Sequence, residues 1–359
     1  MQLKIVPAND VFSALQLMLQ IHEGSVAGFI SAPEVNGVRP EVGGLPDEVP
    51  GDVGLIVESS GSTGVPKRIE LSRRALVASA EASAKRLGGH GQWLLALPVN
   101  FIAGANVLFR SVVADTQPIL MNTQLPFTVE AFVRGASLMD DQRRYTSLVP
   151  SQLAKLAIAA EEDAFVFSML RKFDAILVGG QMPNLSDVLT LRSKGINVVT
   201  SYGMTETCGG CVYDGKPLAG VEISIVDGRI RVSGDVLANS VGAHFLTNDL
   251  GEVVNGTLEV LGRSDRVIIS GGLKLSLDHF EARARELPGV KEVIAVALDS
   301  ELGQSVGVLY VGEPDVQFAQ LAESISLAAK TKKVIRVDQL PTLASGKPDL
   351  LAAKALFQS

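Results

Sequence analysis

Ser59-Ser60-Gly61-Ser62-Thr63-Gly64-Val65-Pro66-Lys67 is the stretch on which the reading of this chain turns. Hydroxyl side chains and glycines precede a lysine, so the loop is rich in donors and its backbone can come close to a ligand. Such N–H and O–H groups wrap phosphate oxygens, and Lys67 adds a point positive charge. The stretch is not a Walker A loop. That pattern is G-x-x-x-x-G-K-[ST], whereas here Pro66 precedes the lysine and Arg68 follows it. A solvated surface loop can share this composition, so phosphate binding needs support from the rest of the chain.

Outward from the loop, as far as Glu206, short apolar runs alternate with helical patterns. Leu94–Leu97, Ala175–Val178 and Ile196–Val199 are bounded by Gly or Pro, as buried strands are. Ser72–Leu87 reads as a helix with Ser72 as N-cap and Gly88 at its end, and Ser151–Ala160 as another after Pro150. This alternation predicts an α/β sheet with crossover connections, whose ligands gather at the carboxyl ends of the strands. After Glu206 the texture changes. Val221–Val226 and Arg229–Ser233 flank Asp227-Gly228, a hairpin signal that points to a small β subdomain. Past Gly262, strand Val267–Ser270, helix Asp278–Leu287, strands Glu292–Leu298 and Val306–Val311 and helix Val316–Ala329 form a β-α-β-β-α pattern. The predicted organisation is a large N-terminal α/β domain with layered sheets over residues 1–262, plus a small α+β domain over residues 263–359.

Composition narrows the function classes. The chain has 359 residues, 47% hydrophobic and 20% charged, with a net charge of −7 and no long Lys/Arg run. Nucleic acid and anionic membranes are therefore disfavoured as partners, while a local phosphate pocket is allowed. The first residues lack a basic-then-apolar signal pattern, and the least charged stretch, Trp93 to Phe109, carries Pro98, Asn100, Gly104 and Asn106 and is short for a bilayer span. A cytoplasmic protein without membrane insertion is expected; a homo-oligomer is compatible with this. Cys208 and Cys211 form a lone C-x-x-C, and His22, His90, His244 and His279 are too scattered to complete a zinc site. Coincidence is the simpler reading of that pair.

Ser201-Tyr202-Gly203-Met204-Thr205-Glu206-Thr207 follows the predicted strand Ile196–Val199. It places an aromatic ring able to pack on a nucleobase, and a carboxylate able to hold Mg²⁺ through one oxygen, at a strand end. An ordinary turn with a core Tyr and a solvated Glu fits the same residues.

Together the two motifs resemble the acyl-adenylate-forming (AMP-dependent synthetase and ligase) superfamily. The first is similar to its [ST]-S-G-[ST]-T-G-x-P-K loop and the second to its Y-G-x-T-E segment. Further segments match in order: Gly179-Gly180-Gln181 resembles the adenine-side loop, and Thr247-Asn248-Asp249 the T-G-D motif. Gly262-Arg263-Ser264-Asp265 resembles the G-R-x-D junction between domains, Ser270-Gly271-Gly272-Leu273-Lys274 the glycine-rich strand facing the thiol, and Pro341–Lys347 the P-x-T-x-[ST]-G-K motif. Within the superfamily, the segments Leu97–Gly104, Thr146–Leu153 and Lys216–Val221, and the short chain, resemble the o-succinylbenzoate–CoA ligases of menaquinone biosynthesis, compact actinobacterial members among them.

The resemblance implies two half-reactions with ATP, Mg²⁺ and CoA. An acid carboxylate attacks the α-phosphorus of ATP and pyrophosphate leaves; the CoA thiol then attacks the acyl-adenylate and AMP leaves. It implies Lys347 as the charge at the α-phosphate, Thr205 as a further donor, and Glu206 as catalytic residue and metal ligand. Ser59, Ser60, Gly61, Ser62, Thr63, Gly64 and Lys67 would hold the departing phosphates; Gly179, Gly180, Gln181, Ser201, Tyr202, Gly203 and Met204 would hold the nucleotide, with Asp249 and Arg263 on the ribose. Asp265 would be the hinge of a mobile C-terminal domain, Gly271, Gly272 and Lys274 the CoA tunnel, and Asn100, Phe101 and Gly104 the acyl pocket. The sequence departs from the pattern at several points. Asn248 replaces a glycine, tolerable at φ > 0; Arg266 replaces an acidic residue after the hinge; Asn100-Phe101 stands where many relatives have a histidine. The region before Ser59 is also shorter than in most of them. A second substrate carboxylate requires a cation, for which Arg110, Arg143, Arg144 and Lys194 are available.

Overall fold

The structure, a computed structural model, describes residues 1–34, 38, 42–59, 67–270, 273–300, 303–325, 331–343 and 347–358. Two compact units emerge, Met1–Ile223 with Val232–Phe245, and Ser224–Arg231 with Leu246–Ser359. Compactness thus groups residues 246–262 with the C-terminal part, ahead of the junction expected after residue 262.

The first unit opens with β1 (Leu3–Pro7), α1 (Val11–Glu23), β2 (Ala27–Ser31), β3 (Val53–Ser59) and β4 (Lys67–Ser72), whose strands pair in the order β1-β2-β3-β4. The β3–β4 pair is antiparallel with Ser59 opposite Lys67, so the donor-rich loop joins the two strands of a hairpin. The sequence reading has no element before Ser59. β2, AGFIS, is buried throughout and contains Gly28, where a side chain would collide with Leu17 and Ile21 of α1; a glycine in so short a run weakens the strand signal.

Then come α2 (Arg73–Leu87), β5 (Gln92–Leu95), α3 (Ile102–Val113), β6 (Ile119–Leu120), α4 (Val129–Ser137), β7 (Arg144–Leu148), α5 (Pro150–Glu162), α6 (Ala164–Leu170), β8 (Ala175–Gly179), α7 (Leu185–Ser193), β9 (Val198–Met204), β10 (Gly209–Tyr213) and β11 (Lys216–Pro217). The caps of α2 are those read from sequence: Ser72 accepts from the Ala75 N–H, and Gly88 closes the helix in the left-handed conformation. The strands order as β11-β10-β9-β8-β7-β5-β6, parallel from β9 to β6 and antiparallel where β10 meets β9. One face buries Leu94, Leu148, Ile176, Val178 and Val198 against α4 to α7. Trp93 and Tyr145, of opposite parity, meet α2 and α3: Tyr145 Oη donates towards Leu87 O and Gly89 O, and Arg110 of α3 lies 5.0 Å from the Trp93 ring centre. β9 extends past the expected Ile196–Val199 to Met204, because Ser201-Tyr202-Gly203 keeps pairing with β8 and β10 despite its polarity.

β12 (Val221–Val226) and β13 (Arg229–Gly234) join through Asp227 and Gly228 at φ 50° and 77°, the paired left-handed residues of a tight hairpin. With β14 (His244–Val254) and β15 (Thr257–Arg263) they form a four-stranded sheet. The second unit continues with β16 (Val267–Ser270), β17 (Leu273–Ser276), α8 (Leu277–Ala284), β18 (Val290–Ser300), β19 (Gly303–Gly312), α9 (Phe318–Ile325), β20 (Thr331–Arg336) and α10 (Leu350–Ala355). Its sheet runs β17-β16-β19-β18, with β20 parallel to β19. Phe280, Val293, Val306, Val308 and Phe318 form one core and Ile294, Leu309 and Ala353 another. The expected β-α-β-β-α pattern is present, enlarged by β17, β20 and α10; the helix expected over Val316–Ala329 is α9, and residues 326–329 lie outside the described residues. β20, TKKVIR, is mostly exposed and lysine-bearing, as edge strands are, which hides it from an apolar pattern. No described helix is long and apolar enough to cross a membrane.

α3 can start where it does because residue 104 lacks a side chain. A Cβ on Gly104 would lie 2.2 Å from Pro98 O and 2.6 Å from Leu97 O. Gly104→Ala should therefore lower unfolding stability by about 1–3 kcal/mol, as overpacking does. Urea unfolding measures it; an unchanged midpoint and slope would contradict this packing.

Candidate active site

The carboxyl ends of β8 and β9 meet where Gly179 pairs with Ser201. Thr205-Glu206-Thr207 then makes one 3-10 turn before β10 returns antiparallel. The reversal is tight: a Cβ on Gly203 would fall 2.0 Å from Gly209 O, so only glycine fits there. Thr207 ties the turn together, its Oγ1 accepting from the Met204 N–H at 3.0 Å and reaching Gly209 O at 2.7 Å. The Cys208 N–H donates to Thr205 O at 3.1 Å and the Ala238 N–H to Glu206 O at 2.8 Å. Thr205 is buried, while Ser201, Tyr202, Met204, Glu206 and Gln181 are half-buried and Gly180 is exposed. The sequence reading put this segment after the strand; it is the strand's own end plus the turn.

β4, which Lys67 begins, packs against this turn. The hairpin carrying the donor-rich loop and the turn carrying Glu206 are therefore neighbours. Ser60, Gly61, Ser62, Thr63 and Gly64 lie outside the described residues, as does the Ser59 side chain; Lys67 is exposed. Among the described residues no three His, Cys, Asp or Glu side chains converge into a metal cage. A single carboxylate at Glu206 instead suits a Mg²⁺ held chiefly by phosphate and water.

Asn100 and Phe101 are half-buried at the start of α3, and Gly104 is buried against Leu97-Pro98. Farther along α3, Arg110 is buried. Its Nη2 donates to Tyr213 Oη at 3.1 Å, its guanidinium faces Trp93, and its Nε has no hydrogen-bond partner among the described residues. The other candidate cations are engaged elsewhere: Lys194 pairs with Glu161 at 3.0 Å, Arg144 Nε donates to Asp141 O at 3.0 Å, and Arg143 lies against Gly89. Both cysteines are free thiols and fully buried. Burial pushes Cys211 up to about 12, against a smaller lowering by its hydrogen bond with Thr207, and pushes Cys208 up as well.

In the second unit Asp249 of β14 stands opposite Arg263 of β15, with Nη1 3.7 Å from Oδ1. Asn248 lies within β14, so the replaced glycine needs no left-handed conformation. Arg263 also grips Asp265, through Nε at 2.8 Å and Nη2 at 2.5 Å. That pairing holds the Asp265 carboxyl below the usual carboxylate range and raises Arg263. Asp278 ties down the same turn from α8: Oδ2 accepts from the Arg263 N–H at 2.7 Å and Oδ1 from Arg266 Nε. Arg266 also pairs with buried Glu281. Gly271 and Gly272 lie outside the described residues, and Lys274 is exposed on β17. Lys347 is exposed; Thr342 bridges Pro348, and the Leu343 N–H donates to Lys347 O at 2.8 Å. The site residues therefore fall into two groups, one per unit. Sequence reasoning missed Asn106, Ser79 and Asp278, which reach the site only through long-range contacts.

Comparison with known proteins places this geometry. The AMP-binding enzyme family matches residues 12–240. A probable 2-succinylbenzoate–CoA ligase of Mycobacterium tuberculosis is 36% identical over 376 aligned positions, covering 98% of this chain and 97% of that one. Among solved structures, the o-succinylbenzoate coenzyme A synthetase of Bacillus subtilis in complex with ATP and magnesium ion superimposes with a TM-score of 0.73 at 25% identity, over 95% of this chain and 81% of that one. The amide bond synthetase McbA of Marinactinospora thermotolerans shares the fold, with a TM-score of 0.76 at 19% identity, over 99% of this chain and 80% of that one.

The buried thiols give a pH signature. Burial pushes the folded Cys211 thiol up to about 12 from the ordinary value of 9.0 that it has when unfolded. Between those values the unfolded state holds fewer protons, so stability is intact below pH ~9 and falls as pH rises. The native thiols should resist a thiol reagent at pH 8 and react on unfolding. Rapid native labelling, or stability that is flat from pH 9 to 11, would contradict the burial.

Proposed function

The chain belongs to the AMP-binding enzyme family, and on that premise we propose that it is an ATP-dependent acid–thiol ligase that adenylates o-succinylbenzoate and passes the acyl group to CoA, a step of menaquinone biosynthesis. The products are o-succinylbenzoyl-CoA, AMP and pyrophosphate. The observation that carries this reading is the Thr205-Glu206 turn at the carboxyl end of β9, packed beside the strand that begins with Lys67. The full-length similarity to a 2-succinylbenzoate–CoA ligase supports the choice of acid.

In the first step a carboxylate oxygen bonds to the α-phosphorus and the bond to pyrophosphate breaks. Negative charge accumulates, so fixed donors and cations lower the barrier. Thr205 offers a hydroxyl and Lys347 an ammonium to the α-phosphate and the attacking carboxylate, while the 59–67 loop takes the departing phosphates. Glu206 holds Mg²⁺, which neutralises phosphate charge when bound. Gly179, Gly180, Gln181 and Ser201–Met204 flank the nucleotide base, and Asp249 with Arg263 takes the ribose hydroxyls. In the second step the CoA sulfur bonds to the acyl carbon and AMP leaves with the bonding electrons. Residues 263–359 are the mobile body, with Asp265 at the hinge and Gly271, Gly272 and Lys274 lining the thiol path. The substrates are small molecules, and the cytoplasm is the corresponding location.

Asn100, Phe101 and Gly104 form the mouth of the acid site.

An ATP–pyrophosphate exchange panel over candidate acids, with and without CoA, tests the reading. Exchange driven by o-succinylbenzoate is expected, and exchange driven only by another acid would reassign the substrate. Lys347→Ala should lose about 10²- to 10³-fold in adenylation yet still convert supplied acyl-adenylate into thioester. Equal losses in both half-reactions would sink its assigned role.

A further inference from the structure

We propose that Asn106 and Ser79 are positioning residues for the adenylation turn, acting through the carbonyl of Cys208. The starting point is a backbone anomaly. Cys208 closes the Thr205–Thr207 turn at φ 49° and ψ 37°, in the left-handed region. The other non-glycine residues with positive φ among the described residues are Asp115, Asp214, Asp227, Asn255 and Asp315. Asp and Asn tolerate this region because a short polar side chain can bond locally; cysteine has no such compensation. Cys208 is also fully buried, so water does not relieve it.

What holds the conformation is visible at its carbonyl. Asn106 Nδ2 donates to Cys208 O at 2.7 Å and Ser79 Oγ at 3.2 Å. Both side chains are buried, at 4% and 1% exposure, so these bonds are not exchanged with solvent. Asn106 comes from α3 and Ser79 from α2, and neither is near Cys208 in sequence. Gly209 completes the fit: a Cβ there would fall 2.4 Å from Asn106 Nδ2. The clamp therefore fixes the peptide that follows Thr207 and, through the Cys208 N–H to Thr205 O bond, the turn carrying Thr205 and Glu206. Strained residues persist where the surroundings over-determine them, and such strain concentrates at functional sites.

A second consequence follows from chain order. α3 begins immediately after Asn100-Phe101 at the acid side and carries Asn106 one turn later. α3 therefore connects Asn100-Phe101 to the Thr205–Thr207 turn through Asn106. The cysteine of the C-x-x-C pair thus serves as backbone geometry and not as thiol chemistry.

This inference rests on the proposed adenylation role of Thr205 and Glu206, and the experiment separates the two. Pyrophosphate exchange is measured for wild type, Asn106→Ala, Ser79→Ala, Cys208→Gly and the Asn106→Ala/Cys208→Gly double variant, with thermal unfolding of each. Asn106→Ala should lower kcat about 10- to 100-fold, the scale of a small misplacement at a reacting centre, with KM for ATP changed less than about 3-fold. Cys208→Gly alone should stay near wild type, and in the double variant it should restore most of the lost kcat, because glycine adopts the left-handed conformation unaided. Ser79→Ala, which removes only the longer bond, should show a smaller loss relieved in the same way, and it decides the matter if Asn106→Ala does not fold. Unchanged kcat in Asn106→Ala, or in Ser79→Ala if that alone folds, overturns the clamp. So does a loss that glycine at 208 leaves in place. A wild-type protein that exchanges with no acid overturns the functional reading and the clamp with it.

Discussion

The arrangement depends on how closely β9 and β10 approach after the strand reverses. At Gly203 the neighbouring carbonyl leaves no room for a side chain, and within a few residues the chain must turn, keep Thr205 and Glu206 at the sheet's rim, and rejoin the ladder. An antiparallel strand appended to a parallel sheet supplies this reversal at the edge where ligands gather in open α/β sheets. Thr207 satisfies the polar groups of the turn from inside, and the Ala238 N–H satisfies the Glu206 carbonyl. These backbone groups of the turn are thereby satisfied without the side chains of Thr205 and Glu206.

The second unit solves a different problem, how to order a charged segment at a strand end. Asp278 accepts from the backbone of Arg263 and the side chain of Arg266, so the 263–266 turn is fastened to the first turn of α8. Arg266 in turn meets Glu281, which also accepts from the Ala295 N–H and from Arg285. Buried charges persist only when paired and hydrogen-bonded, and here each carboxylate has a cation or an amide. An acidic residue at 266 would face Asp278 and Glu281 and be repelled. The departure at 266 and its two carboxylate partners therefore form one physical unit.

Much of this was readable from local patterns. Ser72 and Gly88 bracket α2, Pro150 opens α5, and Asp227-Gly228 makes a hairpin, because each acts within a few residues of itself. β2 and β20 were hidden, the first by a glycine that packing requires and the second by the lysines of an edge strand. At the site, the motif residues were recognisable by order, but the geometry was not. Asn106, Ser79 and Asp278 act at long range or through backbone atoms, which a sequence does not display. Arg110 stood equal with three other cations in sequence, and only the fold shows it buried against Tyr213 and Trp93, farther along α3 than Asn100 and Phe101.

The central claim is that the acid carboxylate attacks the α-phosphorus of ATP, and isotope transfer tests it most directly. With o-succinylbenzoate labelled with ¹⁸O in its carboxylates, incubated with the enzyme, ATP, Mg²⁺ and CoA, one ¹⁸O should appear in the phosphate of AMP, in step with thioester formation. Label recovered in inorganic phosphate, or AMP free of label while thioester forms, would contradict the account.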